Sequence, residues 1–129
     1  MGAERDGRRP ESLPRARRLT LGKEIRAVLA RGKRTRTRNL DVLDSTSPVA
    51  RTRVGVIVPR HGHTIVERNR LKRRLREILR REILPRLISP DPGIDVLVRA
   101  RRGAYDADFA VLKAELQDWW ERRWPNGSS

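Results

Sequence analysis

Between residues 65 and 84 the chain carries an apolar stripe that only a helix can gather, and that stripe dictates what the rest of the fold must supply. Leu71, Leu75, Ile78 and Leu79 follow one another at spacings of four, three and one. Wound at about 100° per residue, they fall on one side of a helix, with Ile83 at the margin. A helix with one apolar stripe must bury it against another element. Two segments can receive it. "RTRVGVIV" (51–58) is short, rich in β-branched residues and bounded by Pro59, and "IDVLVRA" (94–100) follows the turn SPDPG. Both read as largely buried strands. Gly55 inside the first predicts a bulge or a close backbone approach.

The remaining elements follow from the same periodicities. Leu21, Ile25, Val28 and Leu29 lie on one face of a first helix, with Thr20 offered as its cap and Gly32 as its stop. Leu40, Val42 and Asp44 alternate as a strand, and Pro48 marks the turn that follows. The basic helix runs from near Ile65 and stops before Pro85. Asp106 or Asp108 opens a last helix, whose apolar positions are Phe109, Leu112, Leu116 and Trp119 or Trp120. The order helix, strand, strand, helix, strand, helix predicts an α+β fold, an α/β sandwich with helices packed on a small central sheet. Residues 1–17 mix Gly, Pro, Arg and acids without periodicity and read as a disordered basic arm. Residues 18–124 are expected to form the single domain, and 125–129 a flexible tail.

The leucines explain why the basic helix docks; they do not explain its charge. Residues 68–81 contain eight Arg or Lys and one acid, Glu77. Like charges at i and i+4 (Arg68/Lys72, Arg70/Arg74, Arg76/Arg80) each cost a few tenths of a kcal/mol without a partner. A solvated face ordinarily interleaves acids. The whole chain has the same imbalance: 31 basic against 16 acidic residues, a net charge of +15. A small domain so charged repels itself until it meets a polyanion. Only 4 of the 31 bases are lysine, and arginine forks suit phosphate. A membrane-surface helix would present aromatics on a free apolar face; this one has none. A DNA major-groove reader stays an alternative, since a helix presenting Arg and Asn can contact G and A, although helix-turn-helix spacing and zinc patterns are absent.

Other chemistry is narrowed quickly. Without cysteine there are no disulfides, thiolate metal sites or cysteine nucleophiles. No run approaches a membrane span, and the N-terminus lacks the apolar core of a secretory signal, so a cytoplasmic protein is expected. His61 and His63 flank a glycine but have no third ligand in sequence, so they read as a polar loop rather than a metal site. No spacing marks a nucleophile. Trp119, Trp120 and Trp124 are candidate stacking platforms, of which at least one is expected in the core. The Arg-rich stretch 31–38 is expected to be a connection that touches RNA.

The motif R-N-R-x-K-R-x-x-R, here Arg68, Asn69, Arg70, Lys72, Arg73 and Arg76, resembles the signature helix of the bacterial ribonuclease P protein subunit. The resemblance extends over about residues 18–123. It takes in Arg18-Leu19, the first helix ending at Gly32, "VGVIV" before the signature helix and "DVLVRAR" after it. It implies a left-handed βαβ crossover and a partnership with a catalytic RNA that hydrolyses the 5′ leader from precursor tRNA. In that family the protein supplies no catalytic group. Mg2+ is expected for the holoenzyme and is held mainly by the RNA. The resemblance implies RNA contacts at Arg60, Arg68, Asn69, Arg70, Lys72, Arg73 and Arg76, and a leader cleft at Ile25, Leu29 and Leu43. No membrane and no obligate protein partner are expected. Two departures stand out: the family often places aromatics in the leader cleft, and "PRHGHTIVE" replaces a loop usually rich in Lys, Gly and Ala. A ribosomal-type RNA-binding protein is the alternative reading, with a DNA-binding regulator behind it.

Overall fold

A computed structural model describes residues 13–87 and 92–124. Helix α1 spans Gly22–Arg31, and strands β1 (Lys33–Arg36), β2 (Leu40–Thr46) and β3 (Arg53–Ile57) follow. Helix α2 (Ile65–Ile78) then leads to β4 (Ile94–Ala100), and α3 (Phe109–Arg123) closes the chain. The sheet order is β1-β2-β4-β3, with β3 and β4 parallel and the other pairs antiparallel. A parallel pair cannot be joined by a hairpin, and α2 is the crossover that joins β3 to β4.

Strand alternation divides the sheet into two faces. Val42, Val54, Val96 and Val98 point to one side, where Leu71, Leu75, Ile78 and Leu79 of α2 meet Leu112, Leu116 and Trp119 of α3 in the main core. The apolar stripe read from the sequence is therefore the docking surface, and every one of its members is nearly inaccessible. Leu43 and Leu97 point the other way and pack with Leu19 and Val28 beneath α1. The result is three layers, α1 over a four-stranded sheet over α2 and α3.

Several local expectations are corrected. The basic stretch 33–36 is not a connection but edge strand β1, paired with Asp41–Asp44 of β2. An edge strand facing water needs no apolar alternation, and charges there discourage further pairing. The basic helix does not stop before Pro85. A π-helical segment, Leu79–Ile83, and a short α turn, Leu84–Leu87, carry it past the proline. The wider turn lets the Leu84 N–H reach the Leu79 carbonyl, so the ladder shifts register just before a residue with no N–H. Residues 13–17 do not belong to the arm: Leu13 is buried in the main core and Arg15–Arg17 forms a 3-10 turn. Leu13 anchors the segment, and hydrogen bonds from Arg17 to the Thr52 carbonyl at 3.3 Å and from Arg51 to the Ala16 carbonyl at 2.9 Å secure it. The rest of the expected arm and the tail 125–129 lie outside the described residues.

Thr20 does not cap α1. The Leu21 N–H donates to the Glu24 carboxylate at 3.2 Å, since Glu24 is near enough to take that free amide. Gly32 ends α1 with extended backbone rather than a left-handed turn. Glycine is required there because a Cβ would lie 2.6 Å from the Val28 carbonyl oxygen.

Gly55 does mark a close approach. The Leu19 N–H donates to the Val54 carbonyl, so residues 18 and 19 lie along the outer edge of β3. A Cβ on Gly55 would sit 2.6 Å from the Leu19 oxygen and 2.9 Å from its Cβ. Gly55→Ala is expected to destabilise the fold by about 1–3 kcal/mol through forced displacement of that segment. Urea denaturation measures this, and an unchanged midpoint would mean that residues 18 and 19 yield without cost.

Candidate nucleic-acid interface

The start of α2 is fixed by its own sequence. The Thr64 hydroxyl accepts the Glu67 N–H at 3.1 Å, and the Glu67 carboxylate accepts the Thr64 N–H at 2.8 Å. This reciprocal box satisfies two amides that no helix can satisfy internally. The Thr64 N–H, and after it His63, holds the Glu67 carboxyl below the usual carboxylate range.

The two histidines belong to the same clamp. His63 stacks on Tyr105 with ring centroids 3.8 Å apart, and its Nδ1 lies 3.1 Å from Glu67. The Tyr105 hydroxyl donates to the Pro59 carbonyl at 2.7 Å, and Arg102 donates to the His61 carbonyl at 3.2 Å. His61 and Gly62 turn the loop with positive φ. Arg60, expected at the RNA surface, is exposed but spends its Nε–H on the His63 carbonyl. The loop positions the helix, and among the described residues no group of three His, Cys, Asp or Glu gathers to hold a metal.

The cations of α2 separate into two rows. Lys72 and Arg76, one turn apart, line a cleft of about 170 Å3 with Arg18, Leu19, Ile25, Val54 and Val56, and Arg68, one turn before Lys72, continues the row. Burial first, then the charges of Arg76 and Arg68, pushes the Lys72 ammonium below its usual pKa. Arg76 is lowered in the same way, by burial and then by Arg18 and Arg68. Three cations thus converge on one small cleft with the charge of Arg68 close by, an arrangement favourable only when an anion enters. Arg68 is also a strut, since its Nε–H donates to the Val58 carbonyl at 2.8 Å. Its Nη1 donates to the Asn69 side-chain oxygen at 3.3 Å, which gives Asn69 a partner within the motif.

Arg70, Arg73 and Arg74 make the second row, facing away from the sheet toward Phe109. None of their side chains, nor that of Lys72 or Arg76, forms a hydrogen bond or ion pair with a described residue. The one acid within residues 68–81 is already engaged: Glu77 accepts from Arg80 at 2.6 Å and from Arg81 at 3.5 Å, which holds its carboxyl below the usual range. The expected site residues Arg70, Lys72, Arg73 and Arg76 are therefore free to bind, while Arg60 and Arg68 have second duties.

The expected leader-cleft residues do not all meet. Ile25 is half-buried and Leu29 is 37% exposed, but Leu43 is 2% exposed beneath α1. Register explains why. Leu43 shares a row with Leu97 and Gly55, which α1 covers, whereas the next row holds Arg36, Asp41, Arg99 and Ile57. Arg99 is exposed there, and Arg36 pairs with Asp41 at 2.9 Å. Motif reasoning missed Arg18, Arg74 and Arg99. Arg18 carried a signal, since it precedes the apolar run of α1, but its position over β3 is a tertiary fact.

A buried ion cluster holds α1 in place. Arg53 forks onto Asp95 at 2.9 and 2.8 Å and reaches Glu24 of α1 at 2.8 Å. This cluster and the Arg123–Asp44 pair form part of the wall of a broad concavity of about 910 Å3. Its buried charges are thus matched internally, unlike those along α2.

An α+β scaffold presenting two rows of arginine and lysine, most of them without a partner among the described residues, defines a protein built to hold the backbone of a nucleic acid. The family model described as Ribonuclease P matches residues 13–123. The ribonuclease P protein component of Micrococcus luteus is 38% identical over 113 residues, covering 80% of this chain and 84% of that one. That of Marinobacter nauticus is 34% identical over 87 residues, 66% of this chain and 61% of the relative. The solved ribonuclease P protein from Thermotoga maritima superposes with a TM-score of 0.69 at 27% identity, over 81% of this chain and 96% of that one. The chain belongs to the ribonuclease P protein family.

Proposed function

We propose that this chain is the protein subunit of ribonuclease P, binding the catalytic RNA and the 5′ leader of precursor tRNA while the RNA hydrolyses the leader. The observation that carries the reading is the set of five cations on α2 (Arg70, Lys72, Arg73, Arg74 and Arg76) with no partner among the described residues. Phosphates of the catalytic RNA satisfy them, with Arg60, Arg68 and Asn69 at the same surface. The leader lies across the sheet face beside α1, against Ile25, Leu29 and Ile57, with Arg99 at hand for its backbone. Leu43 contributes from beneath by supporting α1. Ile25, Leu29 and Leu43 stand at positions where the family often has aromatics, so leader contact in this reading is apolar and electrostatic rather than stacked.

The protein side chains bind and orient; they do not perform the hydrolysis. The two histidines are held by Tyr105, Glu67 and Arg102 in the loop before α2, where they position the helix. The divalent ions of the reaction, Mg2+ in this reading, reside on the RNA. No helix among the described residues is long and apolar enough to cross a membrane. In this reading the protein works with its RNA in the cytoplasm.

The test is reconstitution. Added to a ribonuclease P RNA at low magnesium, the protein is expected to restore precursor-tRNA cleavage that the RNA alone performs poorly. Absence of any stimulation, with the protein folded by circular dichroism, would overturn the proposal. Copurification of intact ribosomal subunits, in place of one discrete RNA, would point to a ribosomal role.

A further inference from the structure

Aromatic rings able to stack on bases are few in this chain, and most are occupied. Trp119 and Trp120 are 0% and 4% exposed. Trp124 packs on both, with ring centroids at 5.6 and 4.9 Å, and the Arg123 guanidinium lies 5.0 Å from its centroid. Tyr105 is stacked with His63. Phe109, which the helical periodicity assigns to the core, is instead 38% exposed. It begins α3 and stands over α2, where Arg70, Arg73, Arg74 and Glu77 complete the walls of a shallow depression of about 260 Å3.

We infer that Phe109 is a stacking platform for one unpaired base of the partner RNA, with Arg70 and Arg73 holding the phosphates on either side of it. The inference rests on the RNA-binding reading of α2. Three features favour a nucleotide over an apolar protein partner. The ring is bounded by guanidinium groups without protein partners among the described residues, and a desolvating protein surface would leave these buried and unpaired. Glu77 is already bound to Arg80 and Arg81, so it does not neutralise the arginines beside Phe109. Asp106 and Asp108 lie exposed just before the ring, repelling phosphate from that side and leaving the arginine side as the path for the backbone. A flat aromatic face beside a basic groove is the combination that single-stranded nucleic acid requires.

The experiment measures binding of Phe109→Ala, Phe109→Leu and Phe109→Trp proteins to the ribonuclease P RNA over a range of salt. Alanine and leucine are each expected to weaken binding by roughly 5- to 100-fold, the range for removal of one base stack, with the salt slope unchanged because no charge is removed. Tryptophan is expected to bind at least as tightly as the parent. Thermal melting of the three proteins controls for folding. Parental affinity in the alanine and leucine proteins would overturn the inference while a defect in an Arg70→Ala/Arg73→Ala protein left the RNA reading intact. Parental affinity in leucine alone would replace stacking by simple apolar contact and also overturn it. Parental affinity in all of these variants, the arginine pair included, would remove the RNA reading itself.

Discussion

Replacing Arg70 and Arg73 together by alanine is expected to weaken binding to the ribonuclease P RNA by about 100-fold at about 0.1 M salt, roughly tenfold for each charge-assisted hydrogen bond removed. The slope of log affinity against log salt should fall by about 1.5, since each neutralised phosphate contributes about 0.7 to 0.9. These two residues give the cleanest measurement. Both are exposed, lie off the apolar stripe and have no side-chain hydrogen bond to a described residue. Arg68 would confound it, because its Nε–H supports the Val58 carbonyl just past the end of β3. Unchanged melting with unchanged affinity and slope would show that this row faces water in the assembled particle.

The largest stability effect is expected at Asp95. Its side chain is 3% exposed and that of Arg53 5%, and the fork between them is complete. Hydrogen bonding to Asp95 raises the Arg53 guanidinium above its already high pKa, so it stays charged at any working pH. Asp95→Ala leaves that buried cation with Glu24 alone and should cost about 3–5 kcal/mol. In a domain of this size the melting temperature should fall by on the order of 10–20 °C. Replacing both partners with apolar residues, Arg53→Met with Asp95→Leu, should recover much of that stability, because the two most buried charges leave together and Glu24, 21% exposed, keeps the Leu21 N–H and access to water. A melting curve for Asp95→Ala within a few degrees of the parent would show that water or Glu24 compensates the guanidinium. Because Glu24 belongs to α1, the same variant should also loosen the face assigned to the leader.

The elements that carry the site were legible because they bury apolar residues with a clear period. The stripe Leu71, Leu75, Ile78, Leu79 fixed α2, and the valine-rich runs fixed β3 and β4. Elements stabilised by other means were not legible. Strand β1 consists of Lys33, Arg34, Thr35 and Arg36; it is held by backbone pairing at an edge, and its side chains record nothing of that. Pro85 reads as a terminator because no residue pattern announces the π turn before it. Within the site, the motif located the cations of α2 but not their division into two rows. That division depends on the segment at Arg18 on one side and on Phe109 on the other. Leu43 is covered and Arg99 exposed for a similar reason, since strand parity places both on one face but does not say which row of that face a helix will cover.

The two sheet edges are finished differently, and this bears on how the protein survives before it meets its RNA. Residues 18 and 19 lie along β3 and shield that edge. Among the described residues the outer side of β1 has no such cover, and what stands there is the exposed charge of Lys33 and Arg34. Two copies meeting edge to edge would align like charges, so strand addition between newly made chains is suppressed by repulsion rather than by a steric cap. Such protection is only as strong as the surrounding electrolyte is dilute, because screening at about 1 M salt confines it to roughly 3 Å. In the proposed reading, concentrated salt that strips RNA from the arginines of α2 therefore also lowers the barrier to aggregation at β1. Solubility and RNA release are thus coupled through ionic strength, although they reside on different parts of the molecule.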